Sequence, residues 1–179
     1  MLVICNSEFV ELTSRFINME NFKFKPYSSV AFVGGSQCGK TTVINTIICN
    51  LDRYFKTDVP EFVLYCYSKY QESFNEVKEC LEDKVMFYQD MPPESLIKDI
   101  GKSYKNPLII FEDIFERYID SKMILSLFLE GIHHDRMTVF YVLHNLFMAS
   151  KNRRSLQLST QYFGKLNVCR GEGHIFSSK

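Results

Sequence analysis

A glycine-rich segment, GGSQCGKTT from residue 34, carries the clearest chemical signal in the sequence. Its spacing, G-x-x-x-x-G-K-[ST], is that of a loop whose backbone N–H groups surround the phosphates of a nucleotide. In this pattern Lys40 contacts the β- and γ-phosphates, and the hydroxyl of Thr41 binds Mg²⁺. The residues predicted to bind the nucleotide are Gly34, Gly35, Ser36, Gln37, Cys38, Gly39, Lys40, Thr41 and Thr42.

Two adjacent acids, Glu112 and Asp113, follow the apolar run LIIF. Acids at the end of a buried strand are costly unless they meet a cation or a reacting group. In a P-loop sheet this end faces the phosphates, where one acid holds Mg²⁺ and the other polarises the attacking water. The order favours Glu112 for the metal and Asp113 for the water, but it reverses the common Asp-Glu order, so the two roles stay open. The alternative is a strand that ends in solvated acids.

Polar residues also end the apolar run TVFYVL, where His144 and Asn145 follow it. At the phosphate end of the sheet they would contact the γ-phosphate or its attacking water, which makes both candidate catalytic residues. The alternatives are a histidine satisfied by the core and an asparagine that caps a helix.

A basic cluster, KNRR, places Lys151, Arg153 and Arg154 within four residues. One arginine could act on the nucleotide of a neighbouring subunit. The cluster could instead contact nucleic-acid phosphates, or form a solvated basic turn.

The elements that position these residues alternate along the chain between apolar runs and helical periodicity. The predicted strands lie in SSVAFVGG, PEFVLYCYS, KVMFYQ, NPLIIFEDIF and MTVFYVLHN. The predicted helices lie in KTTVINTIICNLDRYF, QESFNEVKECLED, PPESLIKDIGKSY and SKMILSLFLEGIHH. This alternation predicts an α/β fold of three layers, a P-loop NTPase with a mainly parallel central sheet and helices on both faces.

The arrangement favoured is the additional-strand (ASCE) type found in RecA- and FtsK-like ATPases. We expect the strand with the acids to neighbour the strand before the loop. The fifth strand would then lie on the other side of the loop strand or beside the acids. After residue 145 the pattern weakens, and LQLSTQYFGKLNVCR is predicted to hold one or two further strands. The division is an N-terminal segment 1–23, a P-loop domain 24–170 and a tail 171–179.

Composition limits the class of protein. The 179 residues are 46% hydrophobic, which excludes a disordered chain, and the net charge is zero, so any DNA contact needs a local basic patch. No apolar run approaches the roughly 20 residues that span a bilayer. Six cysteines without a C-x-x-C pair indicate reduced thiols of an intracellular protein. Four further candidate ligands do not match a zinc pattern, namely His133, His134, Cys169 and His174.

Two motifs that the sequence lacks argue against a switch GTPase and a small-molecule kinase. The chain has no Asn-Lys-x-Asp motif for guanine and no arginine-rich lid of a small-molecule kinase before residue 136. An acidic pair on a central strand is instead typical of an ATPase coupled to motion.

Four segments together resemble one family. They are YCYSKYQ (65–71), LIIFEDIF (108–115), FLEGIHHDRMTVFYVLHNLF (128–147) and RRSLQLSTQYF (153–163). They are similar to the DNA-packaging ATPases of Maverick/Polinton elements and adintoviruses, which belong to the FtsK–HerA superfamily and are related to poxvirus packaging ATPases. The resemblance covers most of residues 24 to 170, and GIHHDRMTVFYVLHNLF is its most specific part.

The resemblance implies a ring, hexameric or pentameric, that hydrolyses ATP to drive double-stranded DNA into a preformed capsid. It implies capsid or portal-equivalent proteins as further partners, and a place inside the host cell, in the nucleus or a viral factory, or with the virion. It implies ATP at residues 34 to 41, and Mg²⁺ and water at Glu112 and Asp113.

Further roles are implied by the same resemblance. His144 and Asn145 become the sensor at the end of strand five. Arg154 matches the family arginine, which makes it the candidate arginine finger, with Arg153 second, and Lys151 is left as a DNA contact.

The chain departs from the family in three ways. His144 stands where glutamine is common, the acids are Glu-Asp where relatives show Asp-Asp or Asp-Glu, and the family usually continues for several dozen residues past the VCR segment. Two other functions therefore remain: a helicase loader, and a nucleotide-bound assembly module that hydrolyses ATP slowly or not at all.

Overall fold

The structure, a computed structural model, describes residues 2–5, 8–11, 22–145 and 150–165. Its strands are β1 (Leu2–Cys5), β2 (Glu8–Glu11), β3 (Ser29–Val33), β4 (Val63–Tyr67), β5 (Val85–Gln89), β6 (Leu108–Glu112), β7 (Thr138–Leu143) and β8 (Tyr162–Lys165). Its α-helices are α1 (Lys40–Ile48), α2 (Leu51–Tyr54), α3 (Phe74–Leu81), α4 (Glu94–Ser103), α5 (Phe115–Tyr118), α6 (Lys122–Ser126), α7 (Ile132–His134) and α8 (Arg153–Ser159). A 3₁₀ turn covers Glu82–Lys84, and a π-helical turn covers Leu127–Gly131.

Across the described residues the strands form one sheet in the order β2-β1-β8-β3-β7-β6-β4-β5. From β8 to β5 every neighbouring pair is parallel, so this part holds six parallel strands. At the other edge, β1 pairs antiparallel with β8 and with β2. The predicted α/β class with a mainly parallel sheet is confirmed.

The order of the central strands corrects one expectation. β7 lies between β3 and β6, so the strand with the acids does not neighbour the strand before the phosphate loop. The place of β7 beside the acids is one of the two positions expected for the fifth strand. Since parallel strands end at the same edge, the loop, the acid pair and the tip of β7 meet there.

Helices cover both faces of the sheet because its central strands are apolar on both sides. On one face, side chains of α1, α2 and α3 pack on inward residues such as Phe32, Tyr65 and Phe140. On the other face, α4 to α8 pack on residues such as Phe111 and Tyr141. The sheet is therefore the middle of three layers, as predicted.

Several element boundaries differ from the prediction. The first predicted helix divides into α1 and α2 after residue 48, and the helix predicted over SKMILSLFLEGIHH contains the π-helical turn. Residues LQLS belong to α8 rather than to a strand, and β8 is the strand described in that region. The segment 1–23 contributes β1 and β2, which the sequence did not predict. The tail 171–179 lies outside the described residues.

Within the described part of the chain, no helix is both long and apolar enough to cross a bilayer.

Candidate nucleotide-binding site

The phosphate-binding loop connects β3 to α1, and its shape depends on two unusual backbone angles. Gln37 and Gly39 have left-handed φ values of 60° and 86°. A Cβ on Gly39 would meet no atom within 4 Å, so the backbone angle, not crowding, requires glycine there. α1 begins at Lys40 and has no acid in its first turn, so its free N–H groups are available to an anion.

Lys40 lies inside this loop, with only 7% of its surface exposed. Its ammonium donates to the carbonyl oxygens of Gly34 at 2.8 Å and Gly35 at 2.7 Å. The N–H of Gly34 in turn donates to the carbonyl of Leu143 at 3.1 Å. The loop is thereby joined to β7 as well as to β3, and its cation is held where the motif receives phosphates.

Glu112 is the last residue of β6 and is buried, with 2% of its surface exposed. The hydroxyl of Thr41 donates to its Oε1, and the hydroxyl of Tyr65 donates to its Oε2. The structure therefore brings together Thr41 and Glu112, the two residues predicted to hold Mg²⁺.

Burial raises the pKa of Glu112 above its ordinary value, while the hydrogen bonds from Thr41 and Tyr65 oppose the increase. The hydroxyl of Thr41 and the carboxylate of Glu112 are oxygen ligands of the kind that Mg²⁺ prefers, with phosphates and waters completing its shell. In the described ranges, no group of three or more His, Cys, Asp or Glu could hold a metal by itself. The donor set of Thr41 and Glu112 therefore fits an ion shared with a nucleotide.

Sequence reasoning missed three residues around Glu112. Tyr65 is fully buried, and its hydroxyl also lies 3.2 Å from the amide oxygen of Asn45, on the buried side of α1. Since Tyr65 has one hydroxyl proton, it can donate to only one of these acceptors at a time. Gln71 places its amide nitrogen 3.5 Å from Glu112 Oε1. Asn45 is a polar residue on the apolar side of α1, and this was the signal in the sequence that could have identified it.

Asp113 and His144 form the exposed part of the site. Nε2 of His144 lies 3.4 Å from Oδ1 of Asp113, and 43% and 44% of the two side chains are exposed. Asp113 has a left-handed φ of 54°, which turns the chain sharply after β6. A carboxylate in contact with solvent can accept a proton from water, and an adjacent imidazole can fix its orientation. The pairing of Asp113 with His144 was not foreseen.

A fourth missed residue, Glu116 in α5, accepts a hydrogen bond from the backbone N–H of His144 at 2.6 Å. Asn145 follows His144 and is exposed. The end of β7 is therefore bonded on one side to the phosphate loop, through Leu143, and on the other side to α5.

The basic cluster lies at the start of α8. Lys151 and Arg154 are exposed, and the side chain of Arg153 lies outside the described residues. Asp120 accepts hydrogen bonds from Ser150 Oγ and from backbone N–H groups of this segment.

The histidines of the rejected zinc pattern lie at the end of α7, where both His133 and His134 are exposed. Cys169 and His174 lie outside the described residues.

Comparison with solved structures shows distant similarity only. No family model matches the chain, and no curated protein matches it. Among solved structures it is similar to an ATPase from the type III secretion system of pathogenic bacteria, with a TM-score of 0.46 and 12% identity. The alignment covers 92% of this chain but 62% of that one, so the chain spans less than two thirds of that structure. The fold of the chain is established by its own geometry: three α/β layers with a phosphate-loop motif between β3 and α1.

Proposed function

We propose that the protein is a Mg²⁺-dependent ATP hydrolase. One observation carries the proposal: Lys40 lies inside the phosphate loop while Thr41 is bonded to the buried Glu112 beside it. Lys40 binds the β- and γ-phosphates, and Thr41 and Glu112 hold the metal. When bound, Mg²⁺ supplies positive charge that offsets the charge developing on the phosphates.

The exposed pair completes the proposed reaction. Asp113 accepts the proton of the attacking water, and His144 holds that carboxylate and the water in place. Asn145, next along the chain, is the second sensor of the γ-phosphate. The absence of an Asn-Lys-x-Asp motif from the sequence favours ATP over GTP.

Turnover of ATP by the purified protein with Mg²⁺ tests this proposal. Lys40→Ala should lower the rate about 100-fold or more, since it removes a charge that stabilises the transition state. Lys102→Ala, at an exposed position of α4, is the matched control and should leave the rate unchanged. If Lys40→Ala turned ATP over at the wild-type rate, the loop would not be the site of hydrolysis.

The finer function we propose is translocation of double-stranded DNA into a capsid by a ring of these subunits. Its support is the resemblance of four segments to packaging ATPases, together with the position of Arg154. That side chain is exposed in the first turn of α8, and across the described residues it forms no ion pair. It is available to the nucleotide of a neighbouring copy. The same proposal includes capsid or portal-equivalent proteins as partners. It also places the protein in the nucleus, the viral factory or the virion of an infected cell.

A packaging motor should hydrolyse ATP faster when double-stranded DNA is added. When Arg154→Ala subunits are mixed with intact ones, the rate of ATP hydrolysis should fall by more than the fraction of variant subunits, because each variant impairs its neighbour's site. Arg53→Ala, at an exposed position of α2, is the control and should leave the rate of ATP hydrolysis unchanged in the same kind of mixture. A response limited to single strands and a helicase partner would indicate a loader instead.

A nucleotide-bound assembly module is the second candidate, and His144 favours it. A neutral imidazole ring uses one nitrogen as donor and the other as acceptor, and so cannot duplicate the adjacent donor and acceptor of a glutamine amide. ATP binding without turnover on any DNA would support this candidate and exclude the motor.

A further inference from the structure

Two carboxylates that follow the acid pair connect separate parts of the site. Glu116 lies in α5, three residues after Asp113, and Asp120 lies four residues later, in the turn that follows α5. Each of these two carboxylates accepts a backbone N–H from a different element.

Glu116 holds the tip of β7. Its Oε1 accepts the N–H of His144 at 2.6 Å, one residue after the Leu143 carbonyl that bonds to the phosphate loop. His144 leaves the strand at this point toward Asp113. The placement of the imidazole beside Asp113 therefore depends on the bond from Glu116.

Asp120 holds the start of α8. Its Oδ1 accepts Ser150 Oγ at 2.8 Å, Lys151 N at 2.9 Å and Asn152 N at 3.4 Å. The amide nitrogen of Asn152 returns a bond to the carbonyl of Ile119 at 3.2 Å. Asn152 is the N-cap of α8, so the direction of the helix that carries Arg154 is fixed by Asp120.

We propose that Glu116 and Asp120 are positioning residues for ATP hydrolysis, Glu116 for His144 in its own subunit and Asp120 for Arg154 toward a neighbouring copy. The proposal rests on the proposed function for its kinetic consequences. The two residues are four apart in the sequence, yet they serve different active sites: Glu116 acts in cis and Asp120 in trans.

The first test concerns Glu116. Glu116→Ala should lower kcat about 10- to 100-fold with KM for ATP changed less than about 3-fold, because a group displaced by about 1 Å loses its catalytic effect. Glu116→Gln keeps an acceptor oxygen and should restore most of kcat. Glu94→Ala, which breaks only an exposed ion pair on α4, is the control. Equal losses for the alanine and glutamine variants, or a loss confined to KM, would refute the role of Glu116.

The second test distinguishes cis from trans. Lys40→Ala subunits cannot use their own site but still present Arg154. Mixing them with Asp120→Ala subunits should raise turnover several-fold above either variant alone, because each intact site then receives a correctly placed arginine. Mixing them with Glu116→Ala subunits should give no increase. Rescue of Glu116→Ala, or none for Asp120→Ala, would overturn the assignment while leaving the hydrolase proposal intact.

Hydrogen exchange gives a readout that does not need turnover. Glu116→Ala should speed exchange at the His144 amide, and Asp120→Ala at the amides of Lys151 and Asn152, with each variant leaving the other set unchanged. If the wild-type protein turned over no ATP, the proposed function would fail, and this pattern would still decide whether the two carboxylates hold their segments. Unchanged exchange in both variants would refute the positioning itself.

Discussion

Replacing Tyr65 with phenylalanine removes one hydroxyl from the buried network around Glu112 and keeps the ring. The ring packs 4.9 Å from Phe74 and 5.3 Å from Phe87, so apolar contacts should be preserved. The hydroxyl donates to a carboxylate that is 2% exposed. A bond to a buried charged group contributes about 2 kcal/mol, and that is the loss we expect in the free energy of unfolding.

For a chain of this length the loss corresponds to a decrease in Tm of about 4–8 °C. Urea unfolding at pH 7 should show a lower midpoint with an unchanged slope, which marks a change in stability without a change in compactness. At acid pH the difference in the free energy of unfolding between the wild type and Tyr65→Phe should become smaller. Burial raises the pKa of Glu112 in the folded state, so its buried charge destabilises the protein above that pKa and is neutralised as pH falls through it. Below that pKa the Tyr65 hydroxyl no longer stabilises a buried charge.

Tyr67→Phe is the matched control for this experiment. Tyr67 lies two residues along the same strand and packs against the same Phe74 ring at 5.2 Å, and its hydroxyl makes no hydrogen bond to any described residue. Its loss should cost less than about 0.5 kcal/mol. Equal losses for the two variants would show that the Tyr65 hydroxyl contributes nothing through Glu112, and would refute the reasoning.

Two further predictions concern other hydrogen bonds. Thr138→Val should lower the free energy of unfolding by about 1–2 kcal/mol, because Thr138 Oγ1 accepts the N–H of Tyr27 at 3.1 Å and donates to Asn106 at 2.7 Å. Urea unfolding measures this loss. An equal loss for Thr57→Val, at an exposed position, would contradict the prediction. Hydrogen bonds from Ser150 Oγ, and from the N–H groups of Asn152 and Lys151, lower the pKa of Asp120, so its charge contributes stability above the ordinary aspartate pKa that is lost as pH falls through the lowered value. Tm of Asp120→Asn should therefore be below wild type at pH 7 and equal to it in acid, whereas a difference that is constant with pH would assign the effect to packing.

Local patterns predicted much of this molecule. The phosphate loop is local, since its glycines, lysine and threonine act within eight residues, and the apolar run before the acids marks β6 equally well. The order of strands is not local. Nothing in the composition of β7 shows that it lies between β3 and β6, because pairing depends on which crossover connects the strands.

The partners around Glu112 were hidden for the same reason. Tyr65 suits an apolar strand by its ring, and its hydroxyl reaches an acid 47 residues away. Glu116 and Asp120 resemble ordinary surface acids until the N–H groups that donate to them are located, 28 and 31 residues further on. Side chains that act through long-range backbone contacts leave no periodic signal in a sequence.

The left-handed backbone at Asp113 explains why the two acids stand in this order. A residue with φ of 54° is unfavourable for most side chains, and aspartate and asparagine tolerate it best. Glu112, still in extended β6, has the longer side chain that reaches Thr41. Exchanging the two would put the longer acid on the strained bend and the shorter one out of reach of the threonine. The Glu-Asp order thus follows from the end of β6 at Glu112 and the left-handed turn at Asp113.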